Sequence, residues 1–341
     1  MAKSAKRLRE SICQLAPAAI FACLLAAFWG AVQHFQLAGA LGGHLASGLV
    51  CFALLLAPLW FFAFAWPRKQ TPAGVQSPAQ WIRARLASRQ ARTALAVLAC
   101  IPYLVFSIPR HQFEWPLALL MAVFPVVLSA LMVDWAAEPR FGWRDAIVLL
   151  ALALMLELQV LSPAWPYRGL GSLPKIYLAG VALYLYLVVR GIRGMGYSFA
   201  FSRRTVPIAL RELLYFTPFG IGLGLTLKFI AFQPRWPSLA TAAAAVLVTF
   251  LLTAVPEELF FRGILQNLLE RRIGRSGALL LASVLFGLSH FHKGAAFNWR
   301  YVLLATIAGI FYGRAWRSER KILTSAMTHT AVDVIWSLWF R

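Results

Sequence analysis

The chain has 341 residues, of which 60% are hydrophobic and only 13% are charged. This number of charged residues is too small to cover the surface of an ordinary water-soluble fold. The composition therefore excludes a soluble globular protein and indicates a membrane protein. The net charge of +21 could indicate nucleic-acid binding, because basic proteins attract phosphate. The positions of the basic residues in the loops argue against that function.

Apolar runs of roughly 17 to 22 residues recur along nearly the whole chain, about the length that an α-helix needs to cross ~30 Å of hydrocarbon. They are apolar on every side, whereas the strands of a transmembrane β-barrel alternate polar and apolar residues. We therefore predict an all-α, polytopic transmembrane helical bundle with about eleven spans, or ten as the alternative. The predicted spans are 15–33, 44–66, 93–109, 115–134, 145–162, 175–191, 213–233, 240–266, 277–293, 299–315 and 322–340.

The basic residues lie mainly in alternate loops. Of the 33 Lys and Arg residues, 25 fall on the side of the N-terminus, 7 fall on the other side, and Lys228 lies in a span. An excess of Lys and Arg marks cytoplasmic loops, so the N-terminus is predicted in the cytoplasm and the C-terminus outside. The charge thus sets orientation in the lipid bilayer, and we predict no nucleic-acid partner.

Two basic connectors divide the chain. The segment 67–92 is predicted to be a cytoplasmic linker or an interfacial helix, and 190–212 is a second basic connector. We divide the chain into an N-terminal transmembrane bundle, 1–174, and a C-terminal bundle, 175–341. The opening "MAKSAKRLRE" resembles the start of a signal peptide, but no small-residue cleavage pattern ends the following apolar run, so a retained first span is expected.

Ionisable residues inside the predicted spans are sparse and concentrate in the C-terminal bundle. Each such residue costs several kcal/mol unless it is paired or hydrated, so each is a candidate functional residue. Three late spans carry Glu257, Glu258, Arg262, His290, His329 and Asp333. Glu157 is an isolated acid in an earlier span; it is expected to serve helix packing, and no role is assigned to it.

The two adjacent acids in the stretch "VPEELFFRG" at 255–263 are predicted to have different roles. Glu258 and Arg262 are four residues apart, so they share a helix face and can form an ion pair. Glu257 lies about 100° round the helix from Glu258 and is free to face another group. Pro256 cannot donate a backbone hydrogen bond and is expected to kink the helix.

The acids and histidines are predicted to lie at one depth. Glu257 precedes Gly274, the predicted turn, by 17 residues and His290 follows it by 16, so an antiparallel hairpin sets them side by side. His329 lies about seven residues into the last span, roughly 10 Å from its cytoplasmic end. It reaches the depth of Glu257 and His290 if the "NLLERRIGRSG" hairpin projects into the cytoplasm by a few turns. A buried carboxylate can activate water and a histidine can polarise a carbonyl or stabilise an oxyanion, which predicts a hydrolytic site in a cavity facing the cytoplasm.

Three short motifs on successive late spans carry a family resemblance: "EELFFR" (EExxxR), "FGLSH" (FxxxH, with Phe286 one turn before His290) and "HTAVD" (HxxxD). In this order and with these separations they resemble the CPBP family of intramembrane proteases, which includes CAAX prenyl endopeptidases and bacteriocin-processing relatives. The resemblance covers about 240–338, and no motif is placed in the first half of the chain.

The resemblance implies a role for each motif residue. Glu257 would activate water, His290 would assist it, and His329 with residue 333 would stabilise the oxyanion. Glu258 and Arg262 would hold the architecture. Many family members carry Asn at the last motif position, whereas this chain has Asp333, which cannot donate a hydrogen bond unless protonated and could instead orient His329.

The sequence leaves several alternatives open. Glu257, His290 and His329 could ligate zinc, but there is no HExxH motif and the resemblance favours a metal-independent glutamate mechanism without a cofactor. The predicted function is an intramembrane endopeptidase of the bacterial inner membrane, which cuts a membrane-associated protein or peptide near the cytoplasmic leaflet. The alternatives are a non-catalytic immunity or scaffold protein of the same fold and a proton-coupled transporter. Neither the identity of the substrate nor the oligomeric state can be read from the sequence.

Overall fold

A computed structural model describes residues 22, 25–26, 28–30, 44–63, 78–86, 88–134, 140–167, 169–294 and 297–340. Within these ranges the chain forms helices, and the β-structure is limited to one antiparallel bridge between Phe232 and Phe340. The predicted all-α helical bundle is therefore confirmed. The predicted first span lies largely outside the described residues, as does the first part of the linker 67–92.

The helices are labelled in chain order, short 3-10 turns aside. They are α1 Leu45–Ala63, α2 Pro78–Arg85, α3 Arg89–Arg110, α4 Trp115–Val133, α5 Trp143–Glu157, α6 Leu173–Val189, α7 Thr205–Thr226, α8 Leu239–Leu288, α9 Trp299–Glu319 and α10 Ile322–Trp339. Five of these, α1, α3, α4, α7 and α8, are long and apolar enough to cross a membrane. The chain is thus a multi-pass membrane protein, while the total of eleven or ten spans stays a prediction.

Helix α8 is a hairpin of two limbs that meet at Gly274. This residue has φ +76° and ψ 173°, a left-handed conformation that glycine adopts without steric cost. We call the part before Gly274 the first limb and the part after it the second limb. The first limb carries Glu257 and Glu258, as the sequence predicted. The second limb ends at Leu288, two residues before His290, whereas the predicted span 277–293 included His290.

The first limb is irregular around Pro256. The short α-helical piece Val255–Glu258 is flanked by two π-helical turns, Thr249–Ala254 and Leu259–Gln266. Proline removes one backbone donor and its ring crowds the preceding turn, which breaks the regular hydrogen-bond ladder at this position. Turns of this kind are frequent at functional sites.

The helices pack in two groups that meet at α6. Helix α1 packs against α3 and α6, and α4 packs against α3. Helix α9 packs against both the second limb and α7, while α10 packs against α7, α9 and the first limb. Helix α6 also contacts the first limb near Glu257. The division of the chain near residue 175 remains a prediction, because α6 packs on both groups.

Candidate active site

Three elements bring the predicted site residues together. The Nε2 atom of His329 on α10 lies 3.8 Å from Oε2 of Glu257 on the first limb. The rings of His290 and His329 both pack on the Phe286 ring, with centroid distances of 4.9 and 5.6 Å. The structure therefore places the acid and both imidazoles around one point, as their counted depths predicted.

His329 is held in a fixed orientation. Its Nδ1 lies 2.9 Å from Oε1 of Glu258, and its ring stacks on Tyr312 with a centroid distance of 4.5 Å and an interplanar angle of 16°. A carboxylate only accepts hydrogen bonds, so Nδ1 carries the hydrogen and Nε2 is the nitrogen that faces Glu257.

The predicted ion pair of Glu258 with Arg262 is present and buried. The Oε2 atom of Glu258 lies 3.2 Å from Nε of Arg262, and the two side chains are 0% and 1% exposed. Arg262 also donates a hydrogen bond of 3.1 Å to the Gly309 carbonyl on α9 and lies over the Phe286 ring at 4.6 Å. The pair joins α8 to α9 and, through Glu258, positions His329.

Asp333 lies on the opposite side of the His329 ring from Glu258. Its Oδ2 is 3.4 Å from Nε2 of His329, and its side chain is 30% exposed to the cavity. The sequence reading allowed Asp333 to orient His329; in the structure Glu258 also binds this imidazole, at the other nitrogen. The spacing within "HTAVD" could not reveal this, because Glu258 is 71 residues away along the chain.

His290 lies at the end of the second limb. Its Nδ1 is 2.9 Å from the Phe286 carbonyl oxygen and 3.2 Å from the Ser289 hydroxyl. Since a carbonyl oxygen can only accept, Nδ1 donates and the Nε2 atom of a neutral His290 is an acceptor. The ring also packs against Tyr301 with a centroid distance of 4.6 Å.

The main residue that sequence reasoning missed is Lys175. Its Nζ donates a hydrogen bond of 2.7 Å to Oε1 of Glu257, and the two side chains are 21% and 11% exposed. In the predicted topology Lys175 is the first residue of the span 175–191 and one of the seven basic residues on the non-cytoplasmic side. The available signal was a lone lysine as the third residue of an otherwise apolar helix, α6. The second oxygen of Glu257 is buried without a hydrogen-bond partner among the described residues and faces His329.

Two cavities adjoin Glu257. The first, of about 410 Å³, is lined by Glu257, His290, His329 and Asp333 and by apolar residues of α7, α9 and α10. The second, of about 450 Å³, lies between α5, α6 and the first limb, and its lining includes Glu157. Both also touch Lys175 and Lys293. The first volume lies within the usual range for sites that bind small ligands.

The cavities lie towards the end of the bundle that carries Lys175 and Lys293. Their lining includes Lys293, which follows the second limb, and Lys175, at the start of α6. The first cavity also reaches Phe340 at the end of α10. These positions lie at the opposite end of the helices from the basic turn at Gly274, and the predicted cavity facing the cytoplasm stays a prediction.

Zinc does not fit the arrangement of these side chains. Among the described residues, no group of three or more His, Cys, Asp or Glu is placed to hold a metal ion. The ammonium of Lys175 already occupies Oε1 of Glu257 and would repel a dication there. We therefore derive no chemical step through zinc.

Comparison with known proteins places this site in a family. Residues 239–335 match the family model described as "Type II CAAX prenyl endopeptidase Rce1-like". No curated protein and no solved structure matches the chain in the corresponding searches. The matched segment contains α8, α9 and most of α10 and all three motifs, but not Lys175. The match over 239–335 confirms the resemblance to CAAX-type membrane proteases that "EELFFR", "FGLSH" and "HTAVD" predicted.

Proposed function

We propose that the protein is an intramembrane endopeptidase that hydrolyses a peptide bond in a membrane-associated protein or peptide, in the inner membrane of a bacterium, with water activated by Glu257. The observation that carries the proposal is the free carboxylate oxygen of Glu257, which faces Nε2 of His329 at 3.8 Å in a cavity with apolar walls. The match of 239–335 to a protease family supports the same reaction class.

Glu257 is the general base in this proposal. Lys175 engages Oε1, which leaves Oε2 to take a proton from water while the hydroxide oxygen bonds to the carbonyl carbon of the substrate. The Nε2 atom of His290 accepts a second hydrogen bond from the same water and aligns it. When the C–N bond breaks, the proton held by Glu257 passes to the leaving amine.

His329 and Asp333 face the carbonyl oxygen of the substrate. With Nδ1–H bound to Glu258, His329 donates from Nε2 to a developing oxyanion when both its nitrogens carry hydrogen. The carboxylates of Glu257, Glu258 and Asp333 surround the ring and stabilise that charged form. Asp333 and Glu258 are positioning residues for this imidazole.

The decisive experiment compares the termini of membrane proteins in cells that carry the wild type or Glu257→Gln. Glutamine keeps the size of the side chain but cannot take up the proton, so we expect cleavage sites to disappear while the amount of folded protein is retained. Glu157→Gln is the matched control, because it neutralises another acid beside the second cavity that contacts neither histidine. If the termini of membrane proteins are the same in wild-type and Glu257→Gln cells, the proposed protease activity is refuted.

The alternatives give different results in the same variants. A scaffold or immunity protein, in which the polar cluster only stabilises the bundle, predicts that Glu257→Gln lowers expression or thermal stability without altering any terminus. A transporter predicts proton-coupled uptake in proteoliposomes, which the other two functions do not.

A further inference from the structure

The two ends of the C-terminal helices differ in charge. We call one end the arginine-rich end; its basic residues lie in 190–211, at the α8 turn and at the α9–α10 turn, and are Arg190, Arg193, Arg203, Arg204, Arg211, Arg271, Arg272, Arg275, Arg314, Arg317, Arg320 and Lys321. The opposite end carries Lys175, Lys228, Arg235, Lys293 and Arg300. Basic residues accumulate on the cytoplasmic side, so the arginine-rich end faces the cytoplasm.

The site opens at the opposite end. Lys175 is the third residue of α6, and His290 and Lys293 follow the end of the second limb. Glu257 bonds directly to Lys175 and precedes Gly274 by 17 residues, about 25 Å at the helical rise. Neither cavity is lined by any of the arginine-rich residues named above.

Aromatic side chains, among them Trp336, Trp339 and Phe340, line the first cavity at the end of α10. After α7 the chain runs without helix from Phe229 to Ser238 and pairs with the end of α10: the Gln233 amide donates to the Trp339 carbonyl at 2.9 Å. Trp236, which is 81% exposed, packs on Trp339 with a centroid distance of 5.8 Å. Exposed tryptophans at a helix end are typical of a membrane–water interface.

We propose that the first cavity takes its substrate from the non-cytoplasmic side, and that this substrate is the apolar membrane-anchoring segment of an exported protein, cut near its outer end. The proposal rests on the proposed function. The apolar walls from α7, α9 and α10 suit an apolar segment, and the position of Glu257 at the level of Lys175 sets the level of the cut. A substrate presented from the cytoplasm would have to pass the packed first limb before it met Glu257.

The side of the opening can be measured without a substrate. In a full-length background with alanine at Cys13, Cys23, Cys51 and Cys100, a single cysteine is placed at Thr217, which lines the first cavity. Ser238→Cys and Ser318→Cys mark the two ends, because both positions are exposed and lie at opposite ends. Right-side-out and inside-out vesicles are treated with sulfonatoethyl methanethiosulfonate, an anionic reagent that does not cross membranes, and modification is read as protection from a maleimide-polymer gel shift.

We expect Thr217→Cys and Ser238→Cys to react at least ten times faster in right-side-out than in inside-out vesicles, and Ser318→Cys to show the reverse. Ile335→Cys, which lines the same cavity on α10, replaces Thr217→Cys if that variant does not accumulate. The inference is overturned if the cavity cysteine reacts from the side of Ser318 or from neither side. It is also overturned if the two marker cysteines show the inverted pattern.

The protein termini that disappear in Glu257→Gln cells test the identity of the substrate, separately from the side on which the cavity opens. Cuts on the non-cytoplasmic side of anchors in exported proteins support the inference. Cuts on the cytoplasmic side overturn it but leave the protease intact. If no cut depends on Glu257, both the proposed function and the proposed substrate are refuted. The labelling result still decides which face of the membrane the cavity opens to.

Discussion

The substitution Glu258→Gln separates the structural from the chemical role of the two adjacent acids. Glu258 is fully buried and balances Arg262, which is 1% exposed. Removal of one partner of a buried ion pair leaves an uncompensated charge and costs about 3–5 kcal/mol. Glutamine still offers one oxygen to the guanidinium, so we expect the lower end, about 3 kcal/mol, or about a hundredfold in the ratio of folded to unfolded protein.

The assay is the temperature at which half of the detergent-solubilised protein leaves the monodisperse peak in size-exclusion chromatography. Glu157→Gln is the control, since Glu157 is exposed and its neutralisation should change the free energy of unfolding by no more than about 0.5 kcal/mol. If Glu258→Gln and Glu157→Gln lose half their protein at the same temperature, the ion pair does not hold α8 in place and the argument from burial fails.

A double variant distinguishes support of the fold from support of His329. Glu258→Gln combined with Arg262→Met removes both buried charges, so stability should recover by much of the amount lost. Cleavage should stay low, because glutamine is a weaker acceptor for Nδ1–H of His329 than the carboxylate that binds it at 2.9 Å. Recovery of cleavage together with stability would show that Glu258 acts only through the fold.

Three further outcomes are expected. Lys175→Met should lower cleavage at least tenfold and Lys175→Arg should restore part of it, because arginine can still bind Oε1 of Glu257; equal loss in both variants would point to packing alone. Gly287→Ala should destabilise the protein in the heating assay, because the added methyl group would lie 2.6 Å from the Val302 carbonyl oxygen, whereas an unchanged midpoint would show that α8 and α9 can separate there. At Glu319, outside the predicted spans, burial raises the pKa but hydrogen bonds from three hydroxyl groups outweigh it, so the pKa lies below the ordinary 4.5. The folded state then gains stability from ionised Glu319 above pH 4.5 and loses it as the pH falls further, so the midpoint of Glu319→Gln should depend less on pH below 4.5 than that of the wild type.

The helical spacing rules predicted the parts of the site that lie on one helix or one hairpin. The pairing of Glu258 with Arg262 follows from four residues of separation and is observed. The approach of Glu257 to His329 was predicted by counting residues along the two limbs and α10, together with the assumption that the α8 turn projects from the membrane.

The same counting could not predict contacts that depend on packing between distant helices. Lys175 and Glu257 are 82 residues apart, and only the docking of α6 on the first limb joins them. The side on which the cavities open lies beyond the same counting for a related reason. Counting from Gly274 gives depth relative to the turn, but it gives no depth in the bilayer when the turn projects beyond it.

The part of the chain outside the family match completes the site. Helix α6 supplies the lysine on Glu257, and α7 supplies one wall of the first cavity. Helix α7 is also fixed to α9 by a buried carboxylate, since Oε2 of Glu212 lies 2.8 Å from Nε of Arg314. The residues of the three motifs are therefore held by two helices that the motifs do not include. Because both of these helices contact the cavities, differences in substrate choice between this protein and proteins with the same three motifs should arise in α6 and α7 more than in the motif residues.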